Sequence, residues 1–239
     1  MSQFALLNCT SWVHGYDFTG DTNKVALEAS AEELDATVFG GGGWKKVVGG
    51  LKTVTGALEG YWQSGPDNES FGDLGTANRV VTMSVDGTAT STAYMFQATK
   101  LKYSAFGKVG DLTPFTLDMS GSNTAGMVRG QVAAPPTVVS ATGAFGSVVQ
   151  LGAVSSTQYV YASLHVLGTP GTTVTVKVES ASNAGFTTGV ADVQSFGAVT
   201  AAGGTWLLPK AGAIANTYYR FNATAITGSF TLAGSIGVR

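Results

Sequence analysis

Two histidines and one cysteine are the chain's whole supply of imidazole and thiol, so chemistry has to be sought mainly among carboxylates, hydroxyls and glycine loops. His14 and His165 each sit in a strand-like stretch, where a place in a core explains them better than catalysis. Cys9 is alone, which excludes an intrachain disulfide and a cysteine metal cluster. Gly40-Gly41-Gly42-Gly43-Trp44-Lys45-Lys46 has the look of a phosphate cradle. It lacks the Gly-Lys-Ser/Thr ending that would place a lysine and a hydroxyl on the phosphates, and it opens no helix, so it reads as a turn or loop. The acidic group Glu32, Glu33 and Asp35 has the residue types of a metal or acid–base site, but Glu33 stands three residues after Ser30, the spacing of a capping box. Asp67-Asn68-Glu69-Ser70-Phe71-Gly72-Asp73 offers oxygen ligands without the spacing of a calcium loop. Trp206 and Tyr218 are candidate stacking residues for a glycan, with a β-sandwich core as the alternative place for the aromatic residues of this region. No nucleophile elbow, P-loop or dinucleotide fingerprint is present. The catalytic, cofactor and metal sites are expected to be none.

The elements that would position these residues are strands. Val80–Asp86 and the long run Thr92–Tyr103 alternate with period two, and Asp86-Gly87 between them reads as a turn. Gln158–Leu167, Thr173–Glu179, Tyr218–Thr224 and Ser229–Ile236 follow the same pattern. In Tyr218-Tyr219-Arg220-Phe221, Tyr219 and Phe221 share a face. Helical spacing occurs with conviction once, at Ala29–Asp35, where a short helix is expected. The fold class is all-β with one short helix.

Ala133-Ala134-Pro135-Pro136-Thr137 reads as a linker, because adjacent prolines disfavour both helix and central strand. The charge balance changes across it. Residues 1–134 hold nine basic and thirteen acidic side chains, whereas 135–239 hold four basic and two acidic. Two domains are expected, 1–132 and 138–239, joined by 133–137. The second has the strand spacing of a β-sandwich, Ig-like or jelly-roll-like.

Among 239 residues only 12% are charged and 44% are hydrophobic, with a net charge of -2. Such a balance argues against a basic nucleic-acid binder. Twelve Phe, eight Tyr and four Trp argue against a disordered chain. No run approaches the roughly 20 apolar residues of a membrane helix, so no membrane insertion is expected. The first residues lack the basic region of a secretory leader, and assembly in a cytosol is expected. A surface with so few charges suits a subunit covered by copies of itself.

An ordered set of segments in the first half carries a resemblance. It comprises Ala31-Glu32-Glu33-Leu34-Asp35-Ala36-Thr37-Val38-Phe39-Gly40, Gly43-Trp44-Lys45-Lys46, Gly49-Gly50-Leu51-Lys52 and Thr55-Gly56-Ala57-Leu58-Glu59-Gly60-Tyr61-Trp62. Gly107–Leu117 and Val128-Arg129-Gly130 extend it. Together these resemble the major tail protein, or tail tube protein, of long non-contractile-tailed bacteriophages, in the form found in actinobacteriophages. The resemblance covers residues 1–132 and implies a tail-tube-type β-sandwich or barrel. Its copies would form hexameric rings, stacked into a tube through which double-stranded DNA passes during ejection. The partners it implies are further copies of the chain, a tape measure protein, and tail terminator and tip proteins. The virion tail is the location it implies. Residues 138–239 are similar, more loosely, to accessory domains appended to phage tail and fibre proteins.

Given that picture, residues 38–54, with six glycines around Trp44, suit an arm that orders against a neighbouring subunit, the alternative being an ordinary surface loop. Phe39, Trp44, Lys45, Lys46 and Leu51 are its expected contacts. The strand Thr92–Tyr103 has side chains suited to cover on both faces, as when a ring buries the outer face of a sheet. A channel that lets phosphate slide needs repulsion, so its lining is expected among Asp17, Asp21, Glu59, Asp86, Asp111 and Asp118. Lys45, Lys46, Lys52, Lys100, Lys102 and Arg129 would then contact other subunits or rings. The rival readings are a carbohydrate-binding adhesin or accessory surface protein of a phage particle, a glycan-degrading tail enzyme, and a capsid decoration or connector protein.

Overall fold

The computed structural model describes residues 8–39 and 42–239. The described elements begin with β1 (Thr10–Val13), β2 (Tyr16–Asp17), β3 (Thr22–Asp35), β4 (Val47–Tyr61), α1 (Ser64–Gly72), β5 (Arg79–Ser84), β6 (Thr92–Ala105) and β7 (Pro114–Gly121). Next come β8 (Val128–Val139), β9 (Gly143–Gln150), β10 (Tyr159–Leu167), β11 (Thr173–Ala181) and β12 (Ala191–Val199). The last are β13 (Gly203–Trp206), β14 (Lys210–Ala211), β15 (Tyr218–Thr227) and β16 (Phe230–Val238). The chain is therefore all-β with one short helix.

Twelve strands share one sheet, in which β13, β10, β16, β8, β6, β5, β1 and β2 are successive neighbours. A branch leaves the far half of β6 through β7 and β4 to β3. The first half of β6 pairs with β5 and β8, and its second half pairs with β7 after a bulge at Leu101. That change of partner folds the branch over the β1–β5 face. Val13, Phe18, Leu58, Val81, Phe96, Phe115 and Leu117 close the first core between the two layers. Each contributes roughly 1.5–3 kcal/mol by leaving water.

The second core lies between β10, β16 and β8 on one side and a four-stranded sheet, β12-β11-β15-β9, on the other. Val174, Val176 and Val178 of β11 point inward beside Tyr219 and Phe221 of β15, as the alternation requires. Between the two cores, Trp12, Ala93, Val132, Leu167 and Ala233 form a small third cluster.

A buried polar chain runs beside that cluster. The Thr82 hydroxyl lies 2.8 Å from both Ser163 Oγ and His165 Nε2. His165 Nδ1 lies 2.8 Å from the carbonyl oxygen of His14, so this nitrogen carries the proton and Nε2 accepts from Thr82. His14 Nδ1 accepts from the backbone N–H of Gly204 at 2.9 Å, and its Nε2 faces Arg79 Nη1 at 3.2 Å. Thus β5 and the β1–β2 turn are tied to β10 and β13 through groups that must stay neutral. Both imidazoles are held at about 4, below the usual 6.5, His165 by burial against the opposing bond to the His14 carbonyl and His14 by burial and then by the Arg79 charge.

Three expectations are corrected here. Residues Ala29–Asp35 are strand, not helix: they pair with Val47–Val54 across β3 and β4, and tertiary pairing overrides a short run of helix formers. The helix lies instead at Ser64–Gly72, a Ser/Gly/Asn-rich stretch of weak helical propensity, held by side-chain bonds to β6. Residues 133–137 are the middle of β8, not a linker. Pro135 and Pro136 fall where the ladder to β16 shifts register, beyond the stretch paired with β6, so their missing N–H groups break no bond. Finally, the first half of β6 is covered on both faces by its own chain, while Leu101, Lys102 and Ser104 of its outer half are exposed. Phe96 and Ala98 face the first core, and Ala93 faces the junction.

The neutral histidines set a pH dependence. Their folded pKa values lie below the unfolded value, so their stabilising effect is complete above pH 6.5 and is lost as pH falls toward about 4. His165, fully buried, accounts for about 3 kcal/mol of that loss. Thermal melts from pH 7 to pH 4 are expected to show the fall, and His165→Gln is expected to flatten it while lowering stability at pH 7.

Candidate assembly surface

Strands β3 and β4 are 14 and 15 residues long, roughly 46–50 Å when extended. Their inner half is anchored, with Val25, Leu27, Val54 and Leu58 packed into the first core. From Ala29 on one strand and back from Thr53 on the other, both faces are exposed save for partial cover at Gly50. The chain supplies no second layer there, and an unsupported two-stranded ribbon is marginal in water. The ribbon bulges between Ala31 and Glu33, and it turns through Gly42 and Gly43, both at positive φ. Near the tip Lys45 Nζ meets Glu33 Oε1 at 2.6 Å, and the Lys46 N–H donates to Thr37 Oγ1 at 3.0 Å. Both partners of that ion pair are more than half exposed, so it orients the tip without stabilising it much.

This arm concentrates apolar surface. Phe39, Trp44 (83% exposed) and Leu51 (78%) stand in water, along with Leu34, Val38, Val47 and Val48. Phe39, Trp44, Lys45, Lys46 and Leu51, singled out from sequence, are thus brought together on one projection. Gly40 and Gly41 of the glycine run lie outside the described residues. Exposed apolar area of this kind makes the arm a candidate surface for a partner.

Of the six carboxylates expected in a channel, two share a face. Ala57 pairs with Asp118 and Glu59 with Thr116 between β4 and β7, and Ala26 and Lys24 flank them on β3. The outward face of this branch therefore reads Lys24, Ala26, Glu28, Thr55, Ala57, Glu59, Thr116, Asp118 and Ser120, small residues carrying carboxylates. Lys24 Nζ bonds Glu59 at 2.6 Å, and Lys102 of β6 sits across from Asp118. The other four are engaged in turns or lie apart. Asp17 accepts from Thr19, and Asp21 accepts from Tyr16 and Gln63. Burial and then Asp21 push the Tyr16 hydroxyl up to about 12. Asp86 accepts from the Thr88 N–H and hydroxyl in the β5–β6 turn, and Asp111 stands exposed in the β6–β7 loop.

Lys100 is corrected as a contact to other subunits. It is fully buried, 3.0 Å from Glu69 Oε1 and 3.5 Å from Asp73 Oδ2, and it donates to the Glu69 carbonyl at 2.7 Å. Asp73 also pairs with Arg79, and Asp67 accepts from the Tyr103 hydroxyl at 2.7 Å. The carboxylates of the 67–73 segment are therefore spent holding α1 to β6, β5 and the junction. Burial raises the Glu69 carboxyl despite the opposing pull of Lys100. Among the described residues no group of three His, Cys, Asp or Glu could hold a metal ion.

Trp206 and Tyr218 are not brought together. Trp206 on β13 lies in the large sheet beside Tyr161, ring centroids 6.2 Å apart, while Tyr218 is on β15 in the opposing sheet. The outer face of that sheet carries a polar cluster the sequence reading passed over. Glu179 accepts from Arg220 Nε at 3.0 Å and Asn222 Nδ2 at 2.6 Å, with Lys177 at 3.0 Å, and Arg220 lies 4.0 Å over the Phe186 ring. Burial pushes the Glu179 carboxyl up, but the bonds from Asn222, Lys177 and Arg220 outweigh it and hold it below its usual value. Also missed was the far end of the ribbon, where Tyr61, Trp62, Phe106, Val109 and Leu112 are exposed. Apolar residues inside the turn-like run Gly107–Pro114 were the available signal.

No protein-family model matches the chain, and no curated protein does. Solved structures to which it is similar include the tail of an empty gene transfer agent particle with C6 symmetry, at 14% identity and a TM-score of 0.40 over 52% of this chain and 96% of that one. The Dit protein of SPP1, described as a hub adsorption apparatus in phages infecting Gram-positive bacteria, is matched at 10% identity and a TM-score of 0.38, over 97% and 99%. A chain of the phage p2 baseplate is matched at 8% identity and a TM-score of 0.32, over 95% and 97%.

The buried lysine yields a contrast. Lys100→Ala leaves the Glu69 carboxylate without its cation and Asp73 with Arg79 alone, and is expected to cost roughly 3 kcal/mol. Lys100→Arg, which keeps the charge, is expected to recover much of this in urea unfolding, though its larger head costs something in the packed site.

Proposed function

We propose that the chain is a structural subunit of a bacteriophage tail, acting through geometry and not through bond chemistry. Its copies close into hexameric rings and stack into a tube, with the outward face carrying Glu28, Glu59 and Asp118 toward the channel. The observation that carries this reading is the β3–β4 arm, a ribbon with exposed Phe39, Trp44 and Leu51 and no layer of its own to cover them. It coincides with the segments 31–62 that resemble tail tube proteins. On this small-residue, carboxylate-bearing sheet face Lys24 is paired with Glu59 and Lys102 lies across from Asp118, so phosphate finds little to grip, which suits passage of double-stranded DNA. The tape measure protein inside the tube and the terminator and tip proteins at its ends are the further partners of this reading. Assembly takes place in the host cytoplasm and the product is the virion tail. The second half, packed on the first through β8 and the junction, sits outside the channel.

Electron microscopy of the concentrated full chain is expected to show sixfold rings or tubes. Trp44→Ser, at an exposed site, is expected to leave the melting temperature within a degree or two, about 0.5 kcal/mol, and to abolish those assemblies. Monomers at every concentration, together with antibody labelling of virions away from the tail, would overturn the proposal.

A further inference from the structure

The large exposed apolar side chains of the described residues are not spread evenly. Of nineteen, seven lie on the arm and five at the other end of the same ribbon, where Tyr61, Trp62 and the β6–β7 loop meet. The topology makes these true opposites. β4 runs from Val47 at the arm to Tyr61, which pairs with Pro114, while the Trp62 N–H donates to Thr113 and the Phe106 N–H to Pro114. Phe106 (77% exposed), Val109 (107%) and Leu112 (72%) therefore stand roughly 46 Å from the base of the arm's turn.

We infer that this far end is the receiving surface for the arm of a second copy, so that subunits join end to end along the ribbon. The inference rests on the assembly reading above and names the joint it uses. Three features select a second copy in this arrangement. An arm-to-arm contact is isologous, closes as a dimer and leaves Trp62, Phe106, Val109 and Leu112 in water, whereas a head-to-tail contact covers both ends and repeats. Charge agrees with it. Along the free-edge strand β3, Glu28, Glu32, Glu33 and Asp35 outnumber Lys24, with Lys45, Lys46 and Lys52 on the β4 side of the arm, while the far end presents Lys102 and Lys108 beside Asp111, with Asp118 across from Lys102. Among the described residues neither of those two lysines makes an ion pair, and Glu33 is the one carboxylate of the four that does, with Lys45. Third, the outer half of β6, paired with β7 along one edge, leaves Leu101, Lys102 and Ser104 exposed beside that loop, with Tyr103 only half-buried, and so widens the surface the far end offers.

The test is site-directed cross-linking of the full chain in a Cys9→Ser background. K46C, next to the retained Trp44 anchor, with V109C in one chain, oxidised or treated with a short bis-maleimide while assembled, is expected to give a ladder of covalent multimers. A mixture of the two single variants is expected to stop at heterodimers. V109D is expected to raise the concentration needed for assembly by roughly tenfold or more without unfolding the chain. Assemblies that form in the doubly substituted chain without a ladder, or K46C linking to itself, would overturn the joint while leaving the assembly reading intact. Absence of any assembly in the Cys9→Ser parent and the unmodified chain would overturn both.

Discussion

The structure depends on one strand serving two cores. β8 gives its first residues to β6 and most of its length to β16, so the hydrogen-bond ladder passes from one half of the molecule to the other without a gap. Val132 faces the junction while Ala133 and Ala134 face the second core. A ladder is directional and register-bound, and slipping it by one residue would turn every buried side chain of the strand outward. The relation between the halves is thereby set by backbone geometry and not by a flexible tether. The neutral imidazole chain beside it depends on this placement, because His165 and Thr82 meet only when β10 lies over β5.

Against that rigid body stands a ribbon built on other terms. Where β3 and β4 lie over the first core, alternating apolar residues have a layer to bury against; beyond Ala29 the same strands continue with nothing beneath them. The backbone pairs internally, yet the hydrophobic contribution that normally offsets chain entropy is missing from the outer half. In the proposed assembly a neighbouring surface would supply that contribution, and because the least covered element carries the largest group of exposed apolar side chains, folding of the arm and association would be linked.

Charge is distributed in keeping with this division of labour. Buried ionic groups are used inside the subunit, where Lys100, Arg79, Glu69 and Asp73 fix the helix to the sheet. Glu28, Glu59 and Asp118 share the small-residue face of the β3–β4–β7 branch, while Glu32, Glu33 and Asp35 stand exposed on the arm. The second half, with six ionisable Asp, Glu, Lys and Arg side chains, draws four of them, Lys177, Glu179, Asp192 and Arg220, into one network on its outer sheet.

What the sequence determined by itself was local and periodic. Alternation in Thr92–Tyr103, Thr173–Glu179 and Tyr218–Thr224 is enough to define strands and their faces, because a half-buried strand imposes period two on its own residues. The apolar residues of the arm were legible for the same reason: Phe39, Trp44 and Leu51 among glycines and lysines are out of place unless something covers them. Tertiary structure alone decided the rest. The 29–35 segment has helix-forming residues, but β4 offers a pairing partner only after the chain has turned. The two prolines in β8 read as a break, because nothing local reveals that the bulge leaves their missing N–H groups without a required partner. Lys100 reads as a surface cation until α1 brings Glu69 and Asp73 to it, and the separation of Asp118 from Asp86 is a property of which sheet face each strand presents. Contacts between residues distant in sequence carry no periodicity, so only the folded chain could place them.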